Sequence, residues 1–411
     1  MNELSCRFCN NRLSYTFLDL GMSPLSNAYV TQENSQQAEP FYPLHAYVCD
    51  NCFLVQLPQV QTSENIFSDY AYFSSFSDSW LSHSEKYVEM IVRRFQFHDK
   101  NLVIEIASND GYLLQYFQKY AIPVLGIEPA KNVAKEAIES GIPTLTEFFG
   151  EKLALQLSKK GKKADLLIGN NVLAHVPDLN DFVKGMKIIL NPDGIITIEF
   201  PHLMRLMKEN QFDTIYHEHF SYFSFISVNR IFNEHGLKIF DVDELSTHGG
   251  SLRLYACHIE NTDRKIGQRV DALHQKEGAA GYDRLSHYLT FASKVNETKR
   301  GILSFLIEQK RQGKSLVGYG APAKGNTLLN YCGIRNDFID YTVDRSPHKQ
   351  NLFLPGTHIP IFHPDKIEET RPDYLIIMPW NLKDEIVDQM AFIREWGGQF
   401  VTFIPEVKKY S

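Results

Sequence analysis

Four of the six cysteines stand as two pairs, Cys6-x-x-Cys9 and Cys49-x-x-Cys52, while Cys257 and Cys332 stand alone. Each CxxC turn aims two thiols at one point. Two such turns complete a tetrahedral four-thiolate site, which suits zinc because the ion accepts soft ligands and imposes no geometry of its own. With every position filled by protein no water reaches the ion, so the zinc is expected to be structural rather than catalytic. Metal binding would supply folding free energy to an N-terminal module too poor in apolar residues for its own core. Reduced, unliganded thiols are the plainer alternative. A thioredoxin-like redox pair is disfavoured, since neither CxxC opens a helix after a strand.

A polar turn is the second chemical feature. An apolar run leads into it: Val103-Ile104-Glu105-Ile106-Ala107-Ser108-Asn109-Asp110-Gly111. Open α/β sheets bind ligands at the carboxyl ends of their strands. This turn holds one glycine, not the three of GxGxxG, and Ser108, Asn109 and Asp110 would obstruct the close backbone approach of a pyrophosphate. The next strand ends on Gly126-Ile127-Glu128-Pro129, where a carboxylate accepts both hydroxyls of a ribose. Glu105, the turn from Ala107 to Gly111, and Glu128 with Pro129 fit a nucleoside that carries no phosphate and has a positive charge nearby. S-adenosylmethionine is such a ligand. A strand-terminal glutamate that is merely solvated is the bland reading.

The third feature is Gly318-Tyr319-Gly320-Ala321-Pro322-Ala323-Lys324-Gly325-Asn326, a small-residue turn between a strand and a helix. Gly320 and Ala321 let backbone amides approach an anion, the helix N-terminus favours negative charge, and Lys324 adds a full positive one. That suits a sugar-nucleotide diphosphate. Without the GK[ST] ending of a P-loop, NTP hydrolysis is disfavoured. Arg345, in Asp344-Arg345-Ser346, and Trp380, in Met378-Pro379-Trp380-Asn381, end later strands, one placed for ribose or phosphate and the other for stacking. Simple packing is the competing reading of the turn and of Trp380.

The elements that must hold these residues are short. Strands are expected at Leu102–Ala107, Val124–Glu128, Ala164–Gly169 and Gly194–Phe200, followed by a closing pair at Lys238–Val242 and Ser251–His258. Such alternation predicts an open, mostly parallel sheet with an antiparallel edge. A long helix over 283–312 then leads to a second, smaller α/β region with strands at Ser315–Tyr319, Phe338–Val343, Tyr374–Pro379 and Phe400–Ile404. The fold class is thus α/β with three domains: a zinc-binding module at 1–65, a central domain at 66–282 and a C-terminal Rossmann-like domain at 283–411. A length of 411 residues, 43% hydrophobic and 22% charged, accommodates this division. A net charge of −7 speaks against nonspecific nucleic-acid binding. No membrane span and no signal peptide are evident, so a cytoplasmic protein is expected, monomeric or a small homo-oligomer.

These motifs occur in a familiar order. The paired cysteines, the polar turn and Gly126-Ile127-Glu128-Pro129 come first, then Asn170-Asn171-Val172-Leu173-Ala174-His175. Tyr216-His217-Glu218-His219-Phe220-Ser221-Tyr222-Phe223, His248-Gly249-Gly250-Ser251-Leu252-Arg253 and the Gly318–Asn326 turn follow. Along its whole length the chain resembles the nucleotide-sugar C-3 methyltransferases of deoxysugar pathways, such as the tetronitrose and noviose enzymes. The resemblance implies a central seven-stranded S-adenosylmethionine-dependent methyltransferase domain between the zinc module and a nucleotide-sugar-binding domain. It implies methylation of the ring carbon beside the ketone of a nucleotide-linked ketodeoxysugar. A base removes the acidic proton and the enolate carbon takes the methyl group.

By the same likeness His219 is the expected base, Glu218 orients it or contacts the sugar, and Tyr216 donates to the enolate oxygen. His175 is the second candidate, and Tyr70, in an aromatic segment, is a sugar or lid contact. Asn170 and Asn171 join the donor site, and Asn326 and Arg253 the substrate site. His217-Glu218-His219 is not HExxH, so a zinc protease is disfavoured, and His217 reads as structural. Two other readings stay open: a nicotinamide-dependent oxidoreductase or epimerase acting on nucleotide sugars, and a non-catalytic zinc-ribbon adaptor.

Overall fold

The computed structural model describes residues 4–62, 74–76 and 78–410. Tyr70 lies outside them. Three sheets organise the described chain. The central one has seven strands, Val103–Ile106, Val124–Ile127, Thr144–Leu145, Ala164–Asn170, Leu190–Pro201, Leu237–Leu245 and Ser251–His258. Counted in chain order within this sheet, they lie side by side as 3-2-1-4-5-7-6. Six run in the same direction, and the seventh inserts antiparallel between the fifth and sixth. Val103–Ile106 is buried at all four residues, because helices cover both faces of a parallel sheet. The expected parallel sheet with an antiparallel edge is what forms.

The C-terminal sheet has six strands. It runs parallel through Ile361–Phe362, Thr342–Val343, Leu316–Tyr319, Tyr374–Ile377 and Gln399–Thr402, and ends on antiparallel Lys408–Tyr410. The expected strand Phe338–Val343 shrinks to Thr342–Val343. The amides of Phe338 and Ile339 both donate to the Arg335 carbonyl, a turn that takes them out of the ladder. The long helix expected over 283–312 is two helices, Leu285–Tyr288 and Phe291–Arg311. Two anchors re-aim the chain between them. Tyr288 is buried and donates its hydroxyl to the Tyr282 carbonyl at 2.9 Å. Phe291 stacks on Phe17 of the N-terminal module at 5.0 Å.

The N-terminal sheet is antiparallel: Tyr15–Ser23, Tyr42–Val48, Val55–Gln56 and, from far along the chain, Ser221–Tyr222. The fourth strand is the end of the Tyr216–Phe223 motif, so the module built on the cysteines grips the candidate catalytic segment. A second grip comes from Ser23–Glu39. Asn326 Nδ2 donates to Ser26 O at 2.6 Å, Tyr29 Oη to Ala321 O at 2.5 Å, and Gly356 N to a Glu39 carboxylate oxygen at 2.7 Å.

The central and C-terminal domains meet at Gly249 and Trp380. Gly249 has φ +86°, and a Cβ there would meet the Trp380 ring at 2.5 and 2.7 Å. Both the left-handed backbone and the close ring exclude a side chain. Gly249→Ala is expected to destabilise the protein by about 1–3 kcal/mol through overpacking, and to separate the unfolding transitions of the two domains. Calorimetry checks this; an unchanged thermogram would refute it.

Candidate active site

Both CxxC turns fold alike. Asn10 N donates to Cys6 O and Phe53 N to Cys49 O, each reversal completed by a left-handed residue, Asn10 at φ 58° and Phe53 at φ 61°. The four ligand sulfurs all lie within 4.8 Å of one another. Cys6 Sγ to Cys52 Sγ and Cys9 Sγ to Cys49 Sγ are each 3.5 Å. Hydrogen bonds from Cys49 and Cys52 hold the Cys6 thiol down at about 3. Four soft donors converging on one point fit a tetrahedral zinc. Arg7, between two of them, reaches inward: its guanidinium donates to Leu57 O at 2.5 Å and Pro177 O at 2.7 Å, and lies 5.4 Å from the Phe220 ring.

The polar turn caps the first central strand. Ala107 (φ 57°), Asn109 (φ 50°) and Gly111 (φ 80°) are left-handed, a geometry that costs Gly111 nothing and strains chiefly Ala107. Burial pushes the Glu105 carboxyl well above the ordinary value, with Tyr112 partly opposing. A bound cation would draw it back down. Glu128 accepts from Asn109 N and Ala130 N, each at 2.9 Å. Ser108 Oγ, Asp110 Oδ1, both side-chain atoms of Asn170 and Asn171 Oδ1 are buried without a hydrogen-bond partner among the described residues. Five polar atoms left unpaired at the carboxyl edge of one sheet are costly unless a ligand pairs them. Hydroxyls, an ammonium group and a sulfonium charge match this set, so the residues fit S-adenosylmethionine. Over the turn, Ser74 N donates to Asn109 Oδ1 at 2.9 Å and Ser75 N to Asp110 Oδ2 at 3.1 Å.

The Tyr216–Phe223 segment shapes the second half of the site. His219 N donates to Tyr216 O at 2.9 Å, closing a turn that sets the two rings side by side, 4.1 Å apart. His219 Nδ1 lies 2.9 Å from the Thr214 carbonyl, which only accepts, so Nδ1 carries the proton. Nε2 then keeps its lone pair and accepts from the Tyr216 hydroxyl at 2.9 Å. Desolvation, then the neighbouring His175, hold His219 well below the ordinary histidine value. His175 Nδ1 donates to Glu218 O at 2.9 Å, and its ring meets His219 edge-on at 4.7 Å; desolvation lowers it to about 4. Glu218 is buried, accepts from Asn27 Nδ2 at 2.7 Å, and is raised to about 7 by desolvation. His217 points away and donates to Pro43 O at 3.3 Å. Tyr216 and His219 are half-buried whereas His217 and Glu218 are buried.

The C-terminal domain adds Lys324, from the first turn of the helix Ala323–Cys332. Its ammonium donates to Asn381 Oδ1 at 2.6 Å and lies 4.4 Å from the Trp380 ring centroid. Trp380 Nε1 donates to Asp213 Oδ2 at 2.7 Å. Desolvation lowers Lys324 to about 8 and raises Asp213 to about 6. Gly320 N donates to Val343 O at 2.6 Å and Ala321 N to Asp344 Oδ2 at 2.8 Å, so these two amides are taken within the domain. Arg345 is exposed and Asn326 is buried against the N-terminal module. Arg253 lies inside the central domain, its Nε donating to Glu199 Oε1 at 2.6 Å and its guanidinium 4.6 Å from the Tyr87 ring.

Four further residues join the site that motif reading passed over or left as scaffold. His83 pairs with Glu199 at 3.1 Å and stacks on Trp80 at 4.9 Å. His248 (φ 53°) accepts from Asn171 Nδ2 at 3.1 Å and is lowered to about 4 by desolvation and the Lys324 charge. Asp213 and Asn27 complete the group. Only for Asp213 and His248 was a signal at hand: His248 opens a quoted motif, to which no role was given, and Asp213 lies three residues before another.

Family models match along the chain in order: a zinc binding domain over residues 6–67, a methyltransferase domain over 80–242 and a C-methyltransferase C-terminal domain over 246–405. C-methyltransferase NovU of Streptomyces niveus is 34% identical over 406 residues, covering 99% of this chain and 96% of that protein. Ubiquinone biosynthesis O-methyltransferase of Pasteurella multocida is 29% identical over 105 residues, 23% of this chain and 43% of that protein. Magnesium protoporphyrin IX methyltransferase of Synechocystis PCC 6803, solved with bound SAM, is 16% identical and covers 47% of this chain and 88% of that one, at a TM-score of 0.35. A full-length relative, three matching domains in sequence, a donor cradle and a four-thiolate cluster agree: the chain belongs to the S-adenosylmethionine-dependent C-methyltransferases that carry an N-terminal zinc-binding domain.

Proposed function

We propose that the protein methylates C3, beside the C4 ketone, of a nucleotide-linked 4-keto-6-deoxysugar. The observation that carries this reading is the His219 tautomer. Its Nε2 lone pair, beside a phenol and on a ring packed against His175 just after Asn170-Asn171, is what abstraction of a carbon-bound proton needs. S-adenosylmethionine, when bound, supplies an electrophilic methyl group. The chain does the rest. Glu105, the turn from Ala107 to Gly111, Glu128, Asn170 and Asn171 hold the donor. The ketone oxygen takes over the Tyr216 hydroxyl, which frees His219 Nε2. His219 then accepts the C3 proton, and the C–H electron pair becomes the enolate double bond. Asn27 and the Glu218 carboxyl, joined by their hydrogen bond, contact the sugar. His175 packs edge-on to hold the His219 ring upright.

The test is incubation of pure protein with S-adenosylmethionine and 4-keto-6-deoxyhexoses linked to TDP, UDP, GDP or CDP. NMR of the product should show a new methyl group on C3. Methylation of oxygen, or neither transfer nor calorimetric donor binding, would sink the reading.

A further inference from the structure

We propose that Lys324 is a catalytic residue: its ammonium group hydrogen-bonds the C4 oxygen while His219 draws the C3 proton, and so carries the charge of the enolate. This rests on the enolate reading above and adds a charged donor beside the neutral Tyr216 hydroxyl.

The placement of Lys324 is the first ground. Thr327, one helical turn on, donates to Ile215 O at 3.2 Å, which seats the start of this helix against the segment leading to Tyr216 and His219. The ammonium leans on Trp380, and Trp380 is bound by Asp213 on one side and packed against Gly249 on another. Asp213 directly precedes Thr214, whose carbonyl fixes His219. His248 directly precedes Gly249. Through Trp380 and Asp213 the ammonium is thus seated beside the segment that carries Tyr216 and His219.

The turn behind it is the second ground. An anion held by the Gly320–Ala321 turn would need free amides, and both are engaged. Asp344, which takes the Ala321 amide, also accepts from Ser346 N at 2.9 Å. The Asp344 carboxylate therefore already occupies the Ala321 amide. Lys349 is tied to the Ala321 carbonyl at 3.0 Å and to Asp344 at 3.6 Å.

Chemical need is the third. A histidine held below its usual basicity is a weak base, so enolate formation depends on strong stabilisation of the oxygen. A charged donor is roughly twice as strong as a neutral phenol, and a preorganised donor in a dry site costs no reorganisation. The step balances. The C3–H bond breaks, its proton goes to His219 Nε2, its pair forms C3=C4, and the carbonyl π pair moves to oxygen. Lys324 keeps its proton. C3 then bonds the methyl carbon as the S–C bond breaks, and the carbonyl reforms.

The test uses the panel member that the wild type methylates. In D2O without donor, loss of the C3 proton signal by NMR reads enolate formation alone. Lys324→Met should slow both exchange and methyl transfer by roughly 10²–10³-fold, with Lys324→Arg recovering part of each. The Kd of the matching nucleoside diphosphate, used alone as probe, should stay within a few-fold. Lys324→Gln, with donor affinity and Tm measured alongside, controls for misfolding. Exchange at the wild-type rate in Lys324→Met, or a nucleoside diphosphate affinity weakened about tenfold with turnover intact, overturns the proposal and returns Lys324 to diphosphate binding. Failure of the wild type to methylate any panel member would instead refute the parent reading.

Discussion

His219→Ala is expected to lower kcat by roughly 10²–10⁴-fold, the usual contribution of a positioned general base, and to leave the Kd for S-adenosylmethionine unchanged. The two effects separate because of where the residues stand. His219 is held by the Thr214 carbonyl and the Tyr216 hydroxyl, both in its own segment. The donor cradle is held by the central sheet and by Glu128. Loss of an interaction made only in the transition state lowers kcat and kcat/KM together. The pH profile supplies a second signature. The base must be neutral, and desolvation holds His219 well below the ordinary value of 6.5. Its neutral form is therefore full above that value, and its acid limb in kcat/KM lies below it. His219→Ala should lose this limb along with most of the rate. Full activity in the variant, or a break at the ordinary histidine value in the wild type, would remove His219 from the base role.

Much of this site was legible because its parts are local. Four cysteines in two turns, a polar turn ending a strand, and a carboxylate ending the next strand are spacings of a few residues, and each turn folds as its spacing implies. The sheet was legible for the same reason: short runs such as Val103–Ile106 are buried on both faces and read as continuous apolar stretches. What stayed hidden depends on contacts remote in the chain. His83 meets Glu199 across 116 positions, and Trp380 meets Asp213 across 167. Arg253 looked like a substrate cation, but its partner Glu199 comes from the neighbouring strand, and only the register Arg253↔Glu199 reveals the pair. The break after Tyr288 was equally unreadable. No glycine or proline marks it, and it exists because two aromatic rings seat against Tyr282 and Phe17.

Removal of zinc, by chelation or by Cys49→Ser, is expected to abolish methyl transfer while the donor still binds. The argument runs through one hydrogen-bonded strand. Zinc in such four-thiolate modules contributes roughly 10–16 kcal/mol of folding free energy, far more than a short sheet of this size supplies itself. Without the ion the two CxxC turns open, and the module loses Val55–Gln56 as an ordered strand. Its partner is Ser221–Tyr222, paired as Val55↔Tyr222 and Gln56↔Ser221. Leu57 N also donates to Phe220 O at 3.0 Å, and Arg7, flanked by ligand Cys6, braces the same Phe220 ring. His219 is the residue before Phe220, so the zinc module supplies the contacts nearest its C-terminal side, beside the bond from Phe220 N to Ala174 O at 2.7 Å and the bond from Leu203 N to Phe223 O at 2.9 Å. Bonds at Phe220 N and Phe223 alone do not hold the His219 ring to the tolerance that proton abstraction requires, since a 1 Å misplacement costs about 10²-fold. The donor turn is spared, because it hangs on the strands Val103–Ile106 and Val124–Ile127, which pair only within the central sheet. Hydrogen exchange separates this from general unfolding: the amides of Leu57 and of Ser221–Tyr222 should lose protection, and those of Val103–Ile106 should keep it. Calorimetry should then find donor affinity within a few-fold of the zinc-loaded protein. Chelated protein that retains turnover, or that loses protection throughout the central sheet, would show that the zinc module does not act by gripping the catalytic segment.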